Sequence, residues 1–186
     1  MASLNTIRLA TLKKGTMNKD FYRWLAGFID GDGCFNISLH GNEGQLHVGF
    51  CVTIAVKELD SKVIKYVHTN AKLGRLYFRN KGTDTGLAVW QTTNLADSIE
   101  ITRRVLPYLV LKQKRAKIFL KLATWYLSTC RAINGLRKKA SRVRTASQMH
   151  RLVKAAISLN DGMQVKRHQR SKKLAFWNKF IARYYK

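Results

Sequence analysis

The chain has 186 residues, with 46% hydrophobic and 24% charged side chains, a globular balance that argues against disorder, collagen-like repeats and a disulfide-stapled miniprotein. Thirty-five Lys and Arg face ten Asp and Glu, giving +25 overall, with residues 1–100 at +3 and 101–186 at +22, so a polyanion such as nucleic acid is the default partner. Cys34, Cys51 and Cys130 are too few and scattered for a disulfide framework and read as buried thiols in a reducing intracellular compartment with access to DNA; no stretch nears the ~20 apolar residues needed to span a bilayer.

Residues 1–16 lack acids and form a basic tail whose composition also suits an organelle transit peptide. Capping residues at Thr16 to Asp20 predict a helix carrying Phe21, Leu25, Phe28 and Ile29 at helical spacing, ending in Asp30-Gly31-Asp32-Gly33. Two alternating runs, Cys34–His40 and Gln45–Val56, flank Gly41–Gly44 and predict a hairpin. Leu59 to Val67 predicts a second helix closed near Gly74, and Leu76–Arg79 and Leu87–Thr92 predict two more strands. Helix begins again at Ile99–Val105, breaks at Pro107 and resumes over Leu111–Leu127 with Ile118, Leu122 and Trp125 as its stripe. Basic helices follow at about 140–159 and 171–184. The order αββαββα predicts an α+β domain over residues 17–186. Helices cover one face of a four-stranded antiparallel sheet, the polar face is left open to duplex DNA, and C-terminal helices follow.

Residues 24–33, WLAGFIDGDG, carry the chemistry. Gly27 and Gly31, with Ala26 beside them, leave a helix stripe without side chains that invites a second helix at backbone distance. One such helix per chain satisfies itself by two-fold packing, which predicts a homodimer with Ala26, Gly27 and Gly31 at the interface. Asp30 and Asp32 are two apart and point in opposing directions on a helix, so one of them must look elsewhere. An aspartate beside phosphates opposes binding unless a divalent cation lies between, which assigns Asp32 to a metal. Hard oxygen ligands favour Mg²⁺, with Mn²⁺ as a substitute.

LAGFIDGDG at 25–33 resembles the signature of the LAGLIDADG homing endonucleases. PYLVLKQK at 107–114 and AAISLND at 155–161 are similar to later segments of the single-motif members encoded in group I introns, so the resemblance covers roughly residues 17–170. It implies the same αββαββα fold, paired signature helices, and metal-dependent double-strand cleavage of a long pseudo-palindromic target. By resemblance, Asp32 is the metal-binding and catalytic aspartate, Gly31 offers a backbone carbonyl to the metal, and Lys112 offsets charge at the scissile phosphate. Family members often carry a water-ordering Gln near the end of the second strand. Here Ile54-Ala55-Val56-Lys57 has none, and Lys57 or Glu58 would substitute only if the register slips. The alternatives are an intron maturase that binds RNA and a DNA-binding protein that no longer cuts.

Base readout is expected on the open sheet face, from Asn36, Ser38, His40, Gln45, His47, Thr53, Arg79 and Lys81. Lys114, Lys166, Arg167 and Arg170 are expected to hold DNA, the last three gripping phosphates just after LND.

Overall fold

The computed structural model describes residues 18–42, 45–129, 145–160 and 167–184. Helix α1 (Lys19–Asp32) begins where the Asn18 side chain accepts the Phe21 N–H at 3.1 Å. It buries Phe21, Tyr22, Leu25, Ala26, Ile29 and Asp30 and ends at Asp32, within the glycine-containing stretch where it was expected to stop. Strand β1 (Gly33–Asn42) leaves the helix end directly. That junction requires glycine: a Cβ at Gly33 would lie 2.7 Å from the Ile29 Cα.

Strand β2 (Gln45–Lys57) pairs antiparallel with β1, from Gly33 opposite Ile54 to Asn42 opposite Gln45. A 3₁₀ turn (Glu58–Asp60) and α2 (Ser61–Ala71) follow, then β3 (Arg75–Arg79) and β4 (Leu87–Gln91). The sheet order is β1-β2-β4-β3, with every pair antiparallel. Helix α3 (Leu95–Val105), a 3₁₀ turn at Leu106–Tyr108 that contains Pro107, α4 (Gln113–Thr129), α5 (Ala146–Asn160) and α6 (Arg167–Tyr184) complete the described chain. The expected α+β order therefore holds, with later starts for α4 and α5 and an earlier one for α6. Among the described residues no helix is long and apolar enough to cross a membrane.

Strand alternation sorts the sheet into two faces. Phe35, Ile37, Phe50, Val52, Ile54, Ala88 and Trp90 are buried under the helices. Phe119 of α4 meets Phe35 and Phe50, with ring centroids 5.4 and 5.7 Å away. Full burial of a side chain of this size contributes about 1.5–3 kcal/mol. The buried stripe of α4 is Ala116, Phe119 and Ala123, whereas Ile118 is exposed and Leu122 and Trp125 are half-buried. The expected stripe is rotated because spacing finds an apolar face but cannot say which of two adjacent ones meets the sheet.

Polar groups tie the layers together. Ser98 on α3 donates to the Phe50 carbonyl at 2.8 Å, and Thr92 accepts the Val52 N–H at 2.9 Å. Arg104 on α3 bonds Glu100 at 2.6 Å and the Tyr22 hydroxyl of α1. Burial opposes its charge, but these two hydrogen bonds outweigh that and hold its pKa above the usual arginine value.

Candidate functional site

The two aspartates of the motif part company at the end of α1. Asp30 is buried, and its carboxylate accepts three backbone N–H groups: Val110 at 2.6 Å and Leu111 at 3.1 Å on Oδ2, and Lys112 at 2.8 Å on Oδ1. These N–H groups enter α4, so the negative charge lies where a helix start favours it. Asp32 is exposed and has no hydrogen bond or ion pair among the described residues. Asp30 is thus the aspartate that looks elsewhere, and Asp32 is exposed, its lone pairs untaken by any of the described residues.

Lys112 returns the contact. Its ammonium donates to the carbonyls of Ile29 at 2.8 Å, Gly31 at 3.1 Å and Gly33 at 2.8 Å. Those carbonyls belong to the last turn of α1 and the first residue of β1, and they would otherwise compete for water. Asp30 and Lys112 therefore clamp the end of α1 to the start of α4 from both sides. Replacing Lys112 by methionine keeps the apolar stem and should cost about 1–3 kcal/mol, the penalty for undoing a charged cap. A urea titration would read that loss as a lower midpoint at unchanged slope.

The outward stripe of α1 is bare. A Cβ at Gly27 or Gly31 would meet nothing within 4 Å, and both glycines are exposed. Ala26, expected at the interface, is fully buried in its own core, because position 26 falls 100° from Gly27 around the helix, beside the buried Tyr22 and Ile29. Beside it on α1 stands Trp24, 40% exposed, whose ring packs 5.1 Å from that of Tyr66; Val110 and Leu111, at the entry to α4, are exposed as well. Exposed apolar groups of this kind suit a surface that takes a partner.

The sheet face opposite the helices begins two residues after Asp32, at Cys34. Its rows, read across the strands, are Cys34–Thr53–Gln91–Arg75, Asn36–Cys51, Ser38–Gly49 and His40–His47. Asn36, Ser38 and Thr53 are half-buried there, and His40, His47 and Arg79 are exposed. Gln45 takes its place in the strand register opposite Asn42. Cys34 and Cys51 are half-buried on this polar face rather than in the core. Burial pushes the Cys34 thiol above its usual pKa, with Arg115 and Lys112 pulling the other way. Lys81 lies beyond β3 in the turn, its ammonium 5.7 Å from the Phe78 ring centroid, so it does not stand on the strand face as expected.

Three polar residues of this face were missed by the sequence reading: Arg75, Tyr77 and Gln91. The alternation of Arg75, Tyr77 and Arg79 against Leu76 and Phe78 carried the signal for two of them. Lys114 is exposed in a cleft of about 460 Å³ between α4 and α5, shared with Lys112 and Arg115. Arg167 and Arg170 fall in the first turn of α6 rather than in a loop, and Lys166 lies outside the described residues. The register does not slip at the end of β2, where Lys57 is exposed opposite Leu87. Ile54 is buried opposite Gly33, and Glu58 accepts the Gly82 N–H at 2.9 Å, tied to the β3–β4 turn.

As a metal centre, the described residues of one chain offer few ligands. Among the described residues no three His, Cys, Asp or Glu side chains gather. The free Asp32 carboxylate and the Gly31 carbonyl are hard oxygen donors, a set that suits Mg²⁺ or Ca²⁺ when a second carboxylate or a phosphate completes it. The residues therefore fit a divalent cation shared with other groups.

Residues 25–127 match the model of the LAGLIDADG endonuclease family, more than half of the chain. The chain belongs to the LAGLIDADG endonuclease family. It is 30% identical over 105 residues to DNA endonuclease I-CvuI of Chlorella vulgaris, a match covering 54% of this chain and 62% of that relative. The fold of this LAGLIDADG protein matches that of I-CvuI in complex with the I-CreI target, with TM-score 0.64 and 19% identity, covering 86% of this chain and 98% of the other. It also matches the archaeal intron-encoded homing endonuclease I-Vdi141I complexed with DNA, with TM-score 0.66 and 16% identity, covering 90% and 98%.

Proposed function

We propose that this protein is a site-specific endonuclease that cuts both strands of a pseudo-palindromic DNA duplex as a homodimer, in Mg²⁺ with Mn²⁺ as a substitute. The observation that carries the reading is the junction at Asp32: a carboxylate without a partner among the described residues ends a helix with a bare glycine stripe, and the polar sheet face starts two residues on, at Cys34. Two-fold packing of the stripes would bring two Asp32 carboxylates together over one duplex. The names of the matched proteins, endonucleases and DNA complexes among them, agree with duplex DNA as the substrate.

The two Asp32 carboxylates, with the Gly31 carbonyls, would hold divalent cations against the scissile phosphates. When bound, such a cation supplies charge neutralisation at the phosphate and a more acidic water. The rest falls to the chain. The clamp of Asp30 and Lys112 holds the end of α1 at fixed depth, so that each Asp32 meets the phosphate without searching. Lys112 brings a positive charge to the same end, where charge grows on the phosphate oxygens. The surplus of cations in residues 101–186, Lys114, Lys166, Arg167 and Arg170 among them, grips the phosphate backbone. That +22 half would also hold RNA, which supports a second reading as a maturase for an intron; splicing with and without the protein tests it.

The deciding experiment is selection of cleaved duplexes from a randomised library in Mg²⁺. A cut site with two-fold symmetry is the expected product; the absence of any cut product, or a site without symmetry, refutes the reading. Replacing Gly27 by leucine should leave the subunit folded, since open space receives the side chain and helix propensity improves by about 0.5–1 kcal/mol. Sedimentation should then show monomers, with cleavage lost.

A further inference from the structure

Lys112 and the expected cation claim the same oxygen. An ammonium carries three N–H groups, and those of Lys112 go to the carbonyls of Ile29, Gly31 and Gly33. The bond to Gly31, at 3.1 Å, is the longest of the three, and it is the exposed one, whereas the other two are part-buried. Among the described residues no carboxylate forms an ion pair with this ammonium, so its positive charge stands beside the end of α1 without a counter-ion. A carbonyl oxygen has a second lone pair, so the ammonium does not exclude a cation by occupancy. It opposes the cation by charge. If the ammonium stays, a dication on the same oxygen lies a few ångströms from a like charge. If it swings away, the carbonyls at the end of α1 lose their donor. Either course makes the cation bind less well with lysine at this position than without it.

We propose that Lys112 lowers the affinity of the Asp32 end for divalent cations in the protein without DNA, its ammonium standing at the Gly31 carbonyl where the metal would bind. This rests on the reading of Asp32 and Gly31 as metal ligands. A phosphate brought to the same end adds negative charge and offsets the repulsion between the ammonium and the dication. By linkage, the cation and the duplex then strengthen each other's binding, and the protein alone stays poorly loaded. The same lysine that caps the end of α1 thereby ties the metal to the presence of substrate.

The test is Mn²⁺ binding to the full chain without DNA, followed by the loss of the free-ion signal in electron paramagnetic resonance, for wild type, Lys112→Met and Lys112→Gln. Both substitutions remove the charge, and glutamine keeps N–H donors for the carbonyls, so that a folded variant is at hand if methionine loosens the helix end. Mn²⁺ should bind each variant at least about tenfold more tightly than wild type, the effect of a unit charge on a dication a few ångströms away even in water. The gain should vanish when Asp32→Asn is added to either variant, since the tightened ion sits on that carboxylate. Unchanged or weaker binding in the folded Lys112 variants overturns the proposal and leaves the metal reading of Asp32 standing. A gain that survives Asp32→Asn overturns both.

Discussion

Asp32→Asn should abolish cleavage of the selected site and leave duplex binding intact or tighter. The exposed carboxylate has no partner among the described residues, so the fold does not depend on it, and a surface exchange of this kind shifts stability by no more than about 0.5 kcal/mol. Its charge matters only against DNA. Without a cation it repels phosphates, and asparagine removes that repulsion. With a cation it is the anionic ligand, and losing several kcal/mol of charge stabilisation lowers the rate by at least about a thousandfold. Single-turnover cleavage and a gel-shift titration of the same protein separate the two effects. Wild-type cleavage by Asp32→Asn would remove the assigned metal role.

The neighbouring aspartate should behave in the opposite way. Asp30→Ala leaves the Val110, Leu111 and Lys112 N–H groups without their acceptor at the entry to α4. At about 1–3 kcal/mol for each group stranded, and with water reaching the exposed ones, we expect a loss of about 3–5 kcal/mol. For a chain of this size that lowers the melting temperature by about 6–20 °C. Asp30→Asn should fall between, because one oxygen remains while an amide NH₂ replaces the other acceptor. Thermal unfolding of the Asp30 and Asp32 variants side by side is the check. An Asp30→Ala protein that melts with wild type would show that the clamp does not hold the helix end.

The elements that bury one face were legible in the sequence because their residues report a period. Alternation from Phe35 to Leu39 and from Leu46 to Val56 placed the hairpin, and the register bears out which side of each strand is core. Boundaries were less legible. The helix end was legible only as the four-residue stretch Asp30 to Gly33, and the steric demand of the turn into β1 at Gly33 fixes it at Asp32. The stripe on α4 was misplaced because Ile118 and Phe119 are both apolar, and only contact with Phe35 and Phe50 selects Phe119.

What the sequence by itself determined is local: the charge surplus, the order αββαββα, the bare glycines, and the rule that two aspartates two apart on a helix cannot serve one point. Tertiary structure decided the rest, because it depends on groups far apart in the chain. Which aspartate turns inward was settled by three N–H groups some eighty residues away. Ala26 was taken from the interface by core packing, and Lys112 was placed over the end of α1. Gln91 was brought to the Tyr77 hydroxyl of the adjoining strand, 2.9 Å away. A periodic pattern says which face a residue occupies, but the partner that fixes its proton, its charge or its exposure is supplied only when distant segments meet.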